Sequence, residues 1–378
     1  MSARLRALVI LASLLVATVG TALLLVASSG SVDPRSGRRG IQVAESKAVD
    51  LALFKGEVLA WAAGGLSTTE VRRVRDSSKV AGISAVRSGL LPVASGKRAY
   101  PVIPVETMSV DPDAYAAAVG RAGTELLGKL RGGVVLSRTG ASLRKLRRGG
   151  HLLLTGHRSL TVGGVVDDRV LGGYEAALDL ERGRRLGIDH VSYLLLLPRG
   201  PRDALETAVR GLLHDRKVSF RHPDQGRWFR AGDGTLPLAQ AKLRFGEFAV
   251  TSLASPVPDP HWVQANFAAH SVPVLGQVRC HWAVIADLAA AMADVRRQHL
   301  EGLIDVAAFH RGGGCLRAGS GQARLSAQAW GIAFDLQGAG APAPDRRVVA
   351  ALARHGFTWG GRWLQRAPSR FEWVGGGA

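Results

Sequence analysis

Cysteine is scarce: two in 378 residues. That excludes a disulfide-dense scaffold and any four-cysteine metal centre. Acidic residues are also few, 30 against 49 Lys and Arg, which leaves a formal net charge of +19. Only eight of the cations are lysine, so the excess is arginine. Aromatics make up 6% and methionines number three. No recognised nucleic-acid module accompanies the positive charge, so it is read as a solvated surface and no nucleic-acid partner is expected. Gly312–Gly314 lacks the lysine of a phosphate-binding loop, so nucleotide binding is not expected either. Against these shortages stand 47 glycines and a hydrophobic fraction of 47% with 21% charged residues, the balance of a folded chain with room for more than one domain.

From Ala7 to Ala27 no charged residue occurs. As a helix rising 1.5 Å per residue, that run would be roughly 31 Å long, enough for a hydrocarbon core of about 30 Å. Arg4 and Arg6 precede it, which favours a cytoplasmic stub at 1–6 and a transmembrane anchor at 7–27. A cleaved signal sequence is the competing reading, although its apolar region is usually shorter. Both place the remainder outside the cytoplasm, membrane-anchored at the cell surface or secreted. Residues 28–40 are rich in Ser, Gly, Pro and Arg with no apolar period, the composition of a linker. Export would permit a disulfide between Cys280 and Cys315; two buried free thiols are the alternative.

The fold class expected is α+β, with an extracytoplasmic domain at 41–235 and a second at 241–374. In the first, short apolar runs alternate with Gly-rich turns: strands at Gly133–Ser137, His151–Leu154, Ser159–Val166 and Val191–Leu197, mostly antiparallel, with helices at Ala141–Arg148 and Asp203–His214. In the second, a helix is expected over Ile285–Leu300 and another from an Asp345 cap through Ala353 to Gly356. Strands are expected at Asp305–Phe309, Ala329–Leu336 and Ser369–Val374.

The stretch VVLSRTGASLRKLRRGGHLLLTGHRSLTVGGVVDD resembles the extracytoplasmic core domain of FtsX/MacB-type permeases. With one candidate span the chain cannot itself be such a permease. The resemblance implies an interaction or sensing module and a membrane-protein partner, as in a permease-accessory protein.

The C-terminal half resembles the zinc D-alanyl-D-alanine carboxypeptidase and L-alanyl-D-glutamate endopeptidase family, which cleaves peptidoglycan stem peptides. The blocks FGEFA (245–249), VPVLGQVRCHW (272–282), GGCLR (313–317), LSAQAWGIAFDL (325–336), HGFTWGGRW (355–363) and RFEW (370–373) follow in the family's order. The resemblance implies a family zinc held at the positions of Gln328, Asp335 and Arg370, with the catalytic base at Ala367. Of these four groups only Asp335 has the family's chemistry. A catalytic zinc needs three protein donors and an open position for water. Glutamine is a poor substitute for imidazole, and arginine has no lone pair to offer. Unit charges 4 Å apart interact by about 4 kcal/mol at an effective dielectric of 20, so Arg370 would oppose a dication by roughly twice that. Ala367 cannot move a proton. The resemblance with these departures implies a protein with no metal or cofactor and little prospect of hydrolysis, in which either Arg370 pairs with Asp335 beside Gln328, or Arg370 reaches out to solvent while Asp335 bonds backbone amides. Arg317, Ser326 and Trp363 are candidates to bind a peptidoglycan peptide or muropeptide, and Arg370 is a candidate to join Arg317 there. The rival is an active metallopeptidase that borrows His281 or His310 as ligands.

Overall fold

The computed structural model describes residues 56–222, 236–254, 256–316, 325–338 and 340–375. The stub, the apolar run 7–27, the linker 28–40 and Arg317 lie outside the described residues. Among the described residues no helix is long and apolar enough to cross a membrane. The chain is mixed α+β, built around one large mixed sheet.

Strands β1 (Val58–Leu66), β2 (Val80–Ala94), β3 (Val102–Val110), β4 (Val134–Ser137), β5 (His151–Leu154), β6 (Arg158–Val166), β7 (Ala176–Asp179), β8 (Val191–Pro198) and β9 (Val218–Arg221) join in one sheet. Their order is β3-β7-β4-β6-β5-β2-β8-β1-β9, and β3 pairs again with β2. That second pairing closes a ring of six strands. Strand β2 can serve both parts because it is 15 residues long. Its first half lies against β8, and its second half pairs Arg87–Ala94 with Val102–Ser109 of β3. Val93 pairs with Leu154, and the Thr155 N–H donates to the Pro92 carbonyl, which completes the ring.

Every second residue of the ring strands points inward: Leu91 and Val93, Val134 and Leu136, Leu152 and Leu154, Ala176 and Leu178 form one buried cluster. The ring is thus a filled barrel. Pairing is antiparallel except β3 with β7 and β4 with β6. Glycine is required where β4 meets β6, because a Cβ on Gly163 would collide with the Lys129 carbonyl oxygen.

Beyond the ring, the sheet continues from β2 through β8 and β1 to β9, antiparallel in the order β9-β1-β8-β2. Helix α1 (Thr68–Arg75) follows β1, and helix α6 (Arg202–Leu212) follows β8. This is the split βαβ arrangement, with the barrel strands inserted between its two repeats. Ser67 and Glu70 form a capping box that starts α1. Val71 and Val74 of α1, with Leu205 and Val209 of α6, cover the sheet. Helices α2 (Pro112–Val119) and α3 (Arg121–Leu130) bury Tyr115, Ala118, Leu126 and Leu130 with Met108, Val135 and Tyr193. Helix α4 occupies Arg138–Arg144, not Ala141–Arg148, because the Ser137 hydroxyl caps it and Lys145 ends it in the left-handed conformation. Helix α5 is Leu180–Arg185.

The C-terminal half contains α7 (Leu238–Phe245), α8 (Pro260–Asn266), the hairpin β10 (Phe267–Val272) and β11 (Gly276–His281), and α9 (Trp282–Arg297). After these come α10 (Val306–Arg311), β12 (Ala333–Asp335), α11 (Arg346–Ala353), β13 (Phe357–Trp359) and β14 (Arg370–Trp373). The strand expected at Asp305–Phe309 is helix α10. Its aspartate caps the helix by accepting from the Ala308 N–H, a start signal that outweighs the apolar run. The strand expected over Ala329–Leu336 is a 3-10 turn at Ala327–Trp330 followed by the three residues of β12. Gly331 divides the two with φ of 69°, where a Cβ would strike the Phe267 ring.

The two halves share a buried cluster of charge. Lys242 of α7 is 1% exposed and Glu175 is fully buried. The Lys242 ammonium lies 2.8 and 3.0 Å from the Glu175 oxygens and 3.2 Å from Glu247. The Arg144 guanidinium bridges the same two carboxylates at 3.0 and 2.8 Å. The Glu106 N–H also donates to Glu175. Burial alone would raise the Glu175 pKa, but Lys242 and Arg144 override it and hold the carboxyl below the ordinary range. Near this cluster Gln240 donates to Asp168, which also accepts from Thr139. Val102 and Val250 exchange backbone hydrogen bonds.

Removing one member of a buried ion cluster costs about 3–5 kcal/mol, because its partner is left desolvated and unpaired. Lys242→Met should lower the stability measured by urea unfolding by about that amount. Lys242→Met with Glu175→Leu should recover most of the loss, since Arg144 and Glu247 still pair. A double variant as unstable as the single one would show that packing, not charge, is what Lys242 supplies.

Candidate functional site

Register brings together Asp335 and Arg370, two of the positions that the peptidase resemblance assigned to zinc. In the sheet β12-β14-β13, Asp335 is directly opposite Arg370 and Ala333 is opposite Glu372. The Arg370 Nε donates to Asp335 Oδ1 at 2.9 Å and its Nη2 to Oδ2 at 3.2 Å, the two parallel bonds of an arginine–carboxylate fork. The remaining Nη1 donates to the Ser326 hydroxyl at 3.2 Å. Gln328, 1% exposed, directs its amide at Asp335 Oδ2 from 3.5 Å. Ser369 donates to Oδ1 at 3.2 Å. Asp335 therefore has both oxygens engaged, and Arg370 has every nitrogen engaged. The expected pair between Asp335 and Arg370 is present, with Gln328 beside it. Its side chains are 20% and 16% exposed for Arg370 and Asp335, so solvent screening is only partial.

A zinc ion does not fit these groups. Its one anionic donor is already forked to a guanidinium, the second position carries a fixed positive charge, and the third is an amide pointing at that same carboxylate. Ala367 supplies only backbone: its N–H bonds the Gly360 carbonyl, and its carbonyl accepts from Arg370. The histidines considered as substitutes are engaged elsewhere. His310 bonds the Leu275 carbonyl at 2.8 Å. His281 caps α9 by accepting from the Ala283 N–H, and packs edge-on against Phe245 at 5.2 Å. Among the described residues no group of three or more His, Cys, Asp or Glu could hold a metal ion.

Of the candidates for ligand contact, Ser326 caps the 3-10 turn through the Gln328 N–H and receives Arg370. Trp363 is 8% exposed. Arg370, considered as a partner of Arg317 for a peptide carboxylate, already donates from each of its three nitrogens to Asp335 or Ser326. The other tryptophans of the family blocks bind the framework: Trp330 donates to the Gly246 carbonyl and Trp373 to Asp287. Trp359 donates to the Pro368 carbonyl. Around FGEFA, Phe245 meets His281, Phe248 meets Trp330 at 4.6 Å, and Glu247 enters the charge cluster. Sequence reasoning missed Lys242 and Glu247. The available signal was a lysine flanked by Ala241 and Leu243, just over one turn into its helix and ahead of the acidic residue in FGEFA.

Cys280 and Cys315 form a disulfide, with Cα atoms 5.0 Å apart, which ties β11 to the turn after α10. By loop-closure entropy, a bridge across 35 residues contributes about 4 kcal/mol.

No protein-family profile matches the chain, and no curated protein matches it. The peptidase resemblance therefore rests on the sequence blocks. Among solved structures, the chain is similar to the periplasmic region of MacB from Actinobacillus actinomycetemcomitans. The identity is 9%, the TM-score 0.31, and the match covers 46% of this chain and 92% of that one. It is also similar to the extracellular domain of the noncanonic ABC-type transporter YknZ from Gram-positive bacteria, at 11% identity and TM-score 0.31, over 44% and 98% of the two chains.

Burial pushes the His281 imidazole down to about 4. The unfolded chain, with an ordinary value near 6.5, binds a proton that the folded chain refuses in that interval. The contribution is complete above about pH 6.5 and falls by up to roughly 3 kcal/mol as pH drops towards 4. His281→Asn keeps the cap acceptor and does not titrate, so urea unfolding between pH 6.5 and 5 should show a shallower slope than wild type. Equal slopes would mean that His281 is protonated equally in both states.

Proposed function

We propose that this chain is a non-catalytic, extracytoplasmic interaction protein of the permease-accessory kind. In this reading its C-terminal half is a zinc-peptidase framework retained as a scaffold. The observation that carries it is the fork between Arg370 and Asp335. A cross-strand ion pair stands at the positions where the family holds zinc, and it occupies both oxygens of the carboxylate that a metal would need. Ser326, Gln328 and His310 are likewise bonded to their neighbours. The surface offered to a partner is then that of the whole unit, in which the charge cluster fixes the barrel against the scaffold.

Two features support a place outside the cytoplasm: the uncharged run 7–27 and the disulfide between Cys280 and Cys315, a bond that persists in oxidising compartments. With an anchor at 7–27 the chain would be held beside membrane proteins, the class of partner that this reading assigns. Binding of a peptidoglycan peptide is the second reading, and it rests on Arg317, which matches an arginine of the family's substrate cleft.

Purified wild-type protein should carry no stoichiometric zinc and leave muropeptides intact. The variant Gln328→His, Arg370→His, Ala367→Asp should gain zinc measurable by atomic absorption, since it restores two imidazoles and a base to Asp335. About one tightly held zinc per wild-type chain, with hydrolysis, would overturn the reading. Retention on isolated peptidoglycan that is lost in Arg317→Ala would favour the second one.

A further inference from the structure

A strand at the end of a sheet leaves a row of unpaired N–H and C=O groups that another chain can pair with, so proteins shorten such strands or place charge on them. Most sheet ends here follow that rule. Strand β9 has four residues and ends at Arg221, and β12 and β13 have three residues each. Strand β11 carries Arg279, and its last residue is already engaged, since the His281 N–H donates to the Gly331 carbonyl. Strand β10 does not follow it. Its six residues, FAAHSV, include no Lys, Arg, Asp or Glu, no proline and no glycine. They pair with β11 at all six positions, without a bulge to turn the edge away.

The outer side of β10 is open. Ala269, His270 and Ser271 are exposed in succession, so neither face of the strand is covered there. Among the described residues the backbone from Ala268 to Ser271 bonds only to β11. Gly331 meets the hairpin on the β11 side, which leaves β10 as the outer strand. One cation shares this surface. Register sets Arg279 directly opposite Ala269, on the face that also carries Phe267, and the guanidinium carbon is 6.0 Å from the centre of the Phe267 ring. Arg279 is exposed, and among the described residues it meets no carboxylate. A strand added beyond β10 would lie two spacings from β11, roughly 10 Å. An arginine and a glutamate can meet over that span, because Ala269 between them has no bulk to block it.

We infer that β10 is a docking edge for an extended acidic segment of a partner polypeptide, which adds a strand to the β10–β11 hairpin and sets a carboxylate against Arg279. In strand addition the main-chain bonds supply affinity and alternate side chains supply specificity. The formal charge of +19 opposes a second copy of this chain at the edge and favours an acidic occupant. The inference gives a chemistry to the partner that the interaction reading above leaves open, and it rests on that reading for there being a partner. The edge itself is independent of the fork at Asp335, since neither β10 nor Arg279 contributes a bond to it.

The test measures binding and amide exchange on the full chain in detergent. The probe is a short, capped, fluorescein-labelled peptide that alternates valine with glutamate, and its twin has lysine in place of glutamate. The glutamate peptide should bind by fluorescence anisotropy, slow hydrogen exchange at Ala269–Ser271, and bind about tenfold more weakly to Arg279→Glu. Ala269→Glu, which sets a carboxylate on β10 opposite Arg279, should weaken it as well. Both positions are exposed, and circular dichroism checks that the variants are folded. Equal binding of the two peptides overturns the proposal, and so does no binding at all. Binding of the glutamate peptide that leaves β10 exchange or the Arg279→Glu affinity unchanged overturns it too. Protection of β10 without peptide, rising with protein concentration, assigns the edge to a second copy and is a further refutation. Zinc and muropeptide hydrolysis in the wild-type chain would overturn the scaffold reading and leave this measurement standing.

Discussion

Lys242, Glu175, Arg144 and Glu247 meet where water cannot reach two of them, and the arrangement of the whole unit follows from that. Two cations and two carboxylates make a neutral group, so no net charge is buried. Each member nevertheless carries a desolvation cost that only the others offset. Glu175 immediately precedes β7 of the barrel and Arg144 ends α4. Lys242 lies on α7 and Glu247 just beyond it. Separating the halves would expose four charges whose geometry was built for one another. The shared cluster therefore sets the orientation of the scaffold to the barrel more sharply than the apolar contacts around it, because hydrophobic burial is non-directional.

The fork at Asp335 solves a related problem in another way. A metal that binds residues of two strands cross-links them, and an ion pair between the strands can do the same. Here the partner comes from the register itself, since antiparallel pairing sets position 370 opposite position 335. An arginine there reaches its carboxylate with two parallel bonds and still touches Ser326. Three bonds from one side chain tie two segments together, as a shared ligand would, without an open coordination position.

Much of this was legible in the residues. The pairing of Asp335 with Arg370 was one of two arrangements that the residues left open, and the strand register decides between them. The ring strands announced themselves by runs such as VVLS and HLLL. Ring closure did not, because it depends on β2 being long enough to pair on both sides, and pairings so distant in sequence leave no local pattern. Asp305 was misassigned for a simpler reason: five residues of mixed character fit a strand or a helical turn equally well, and only the cap decides. The Lys242 cluster was hidden by distance, with partners at positions 144, 175 and 247. Cys280 and Cys315 could be named but not paired until the fold set their Cα atoms 5.0 Å apart.

Scarcity of acid explains both the interior and the surface. The carboxylates of this chain are largely placed where their charge does structural work. Asp111, Asp179, Asp259, Asp305 and Asp345 cap helices. Glu175 and Glu247 hold the central cluster, and Asp294 gathers His355 and Arg354. A sequence with 30 acids and 49 bases that commits its acids in this way must leave cations without partners. Where they remain is then set by topology. Between Glu125 and Asp167 the chain builds strands and tight turns that need glycine and apolar residues, and its one helix there is capped by Ser137 instead of a carboxylate.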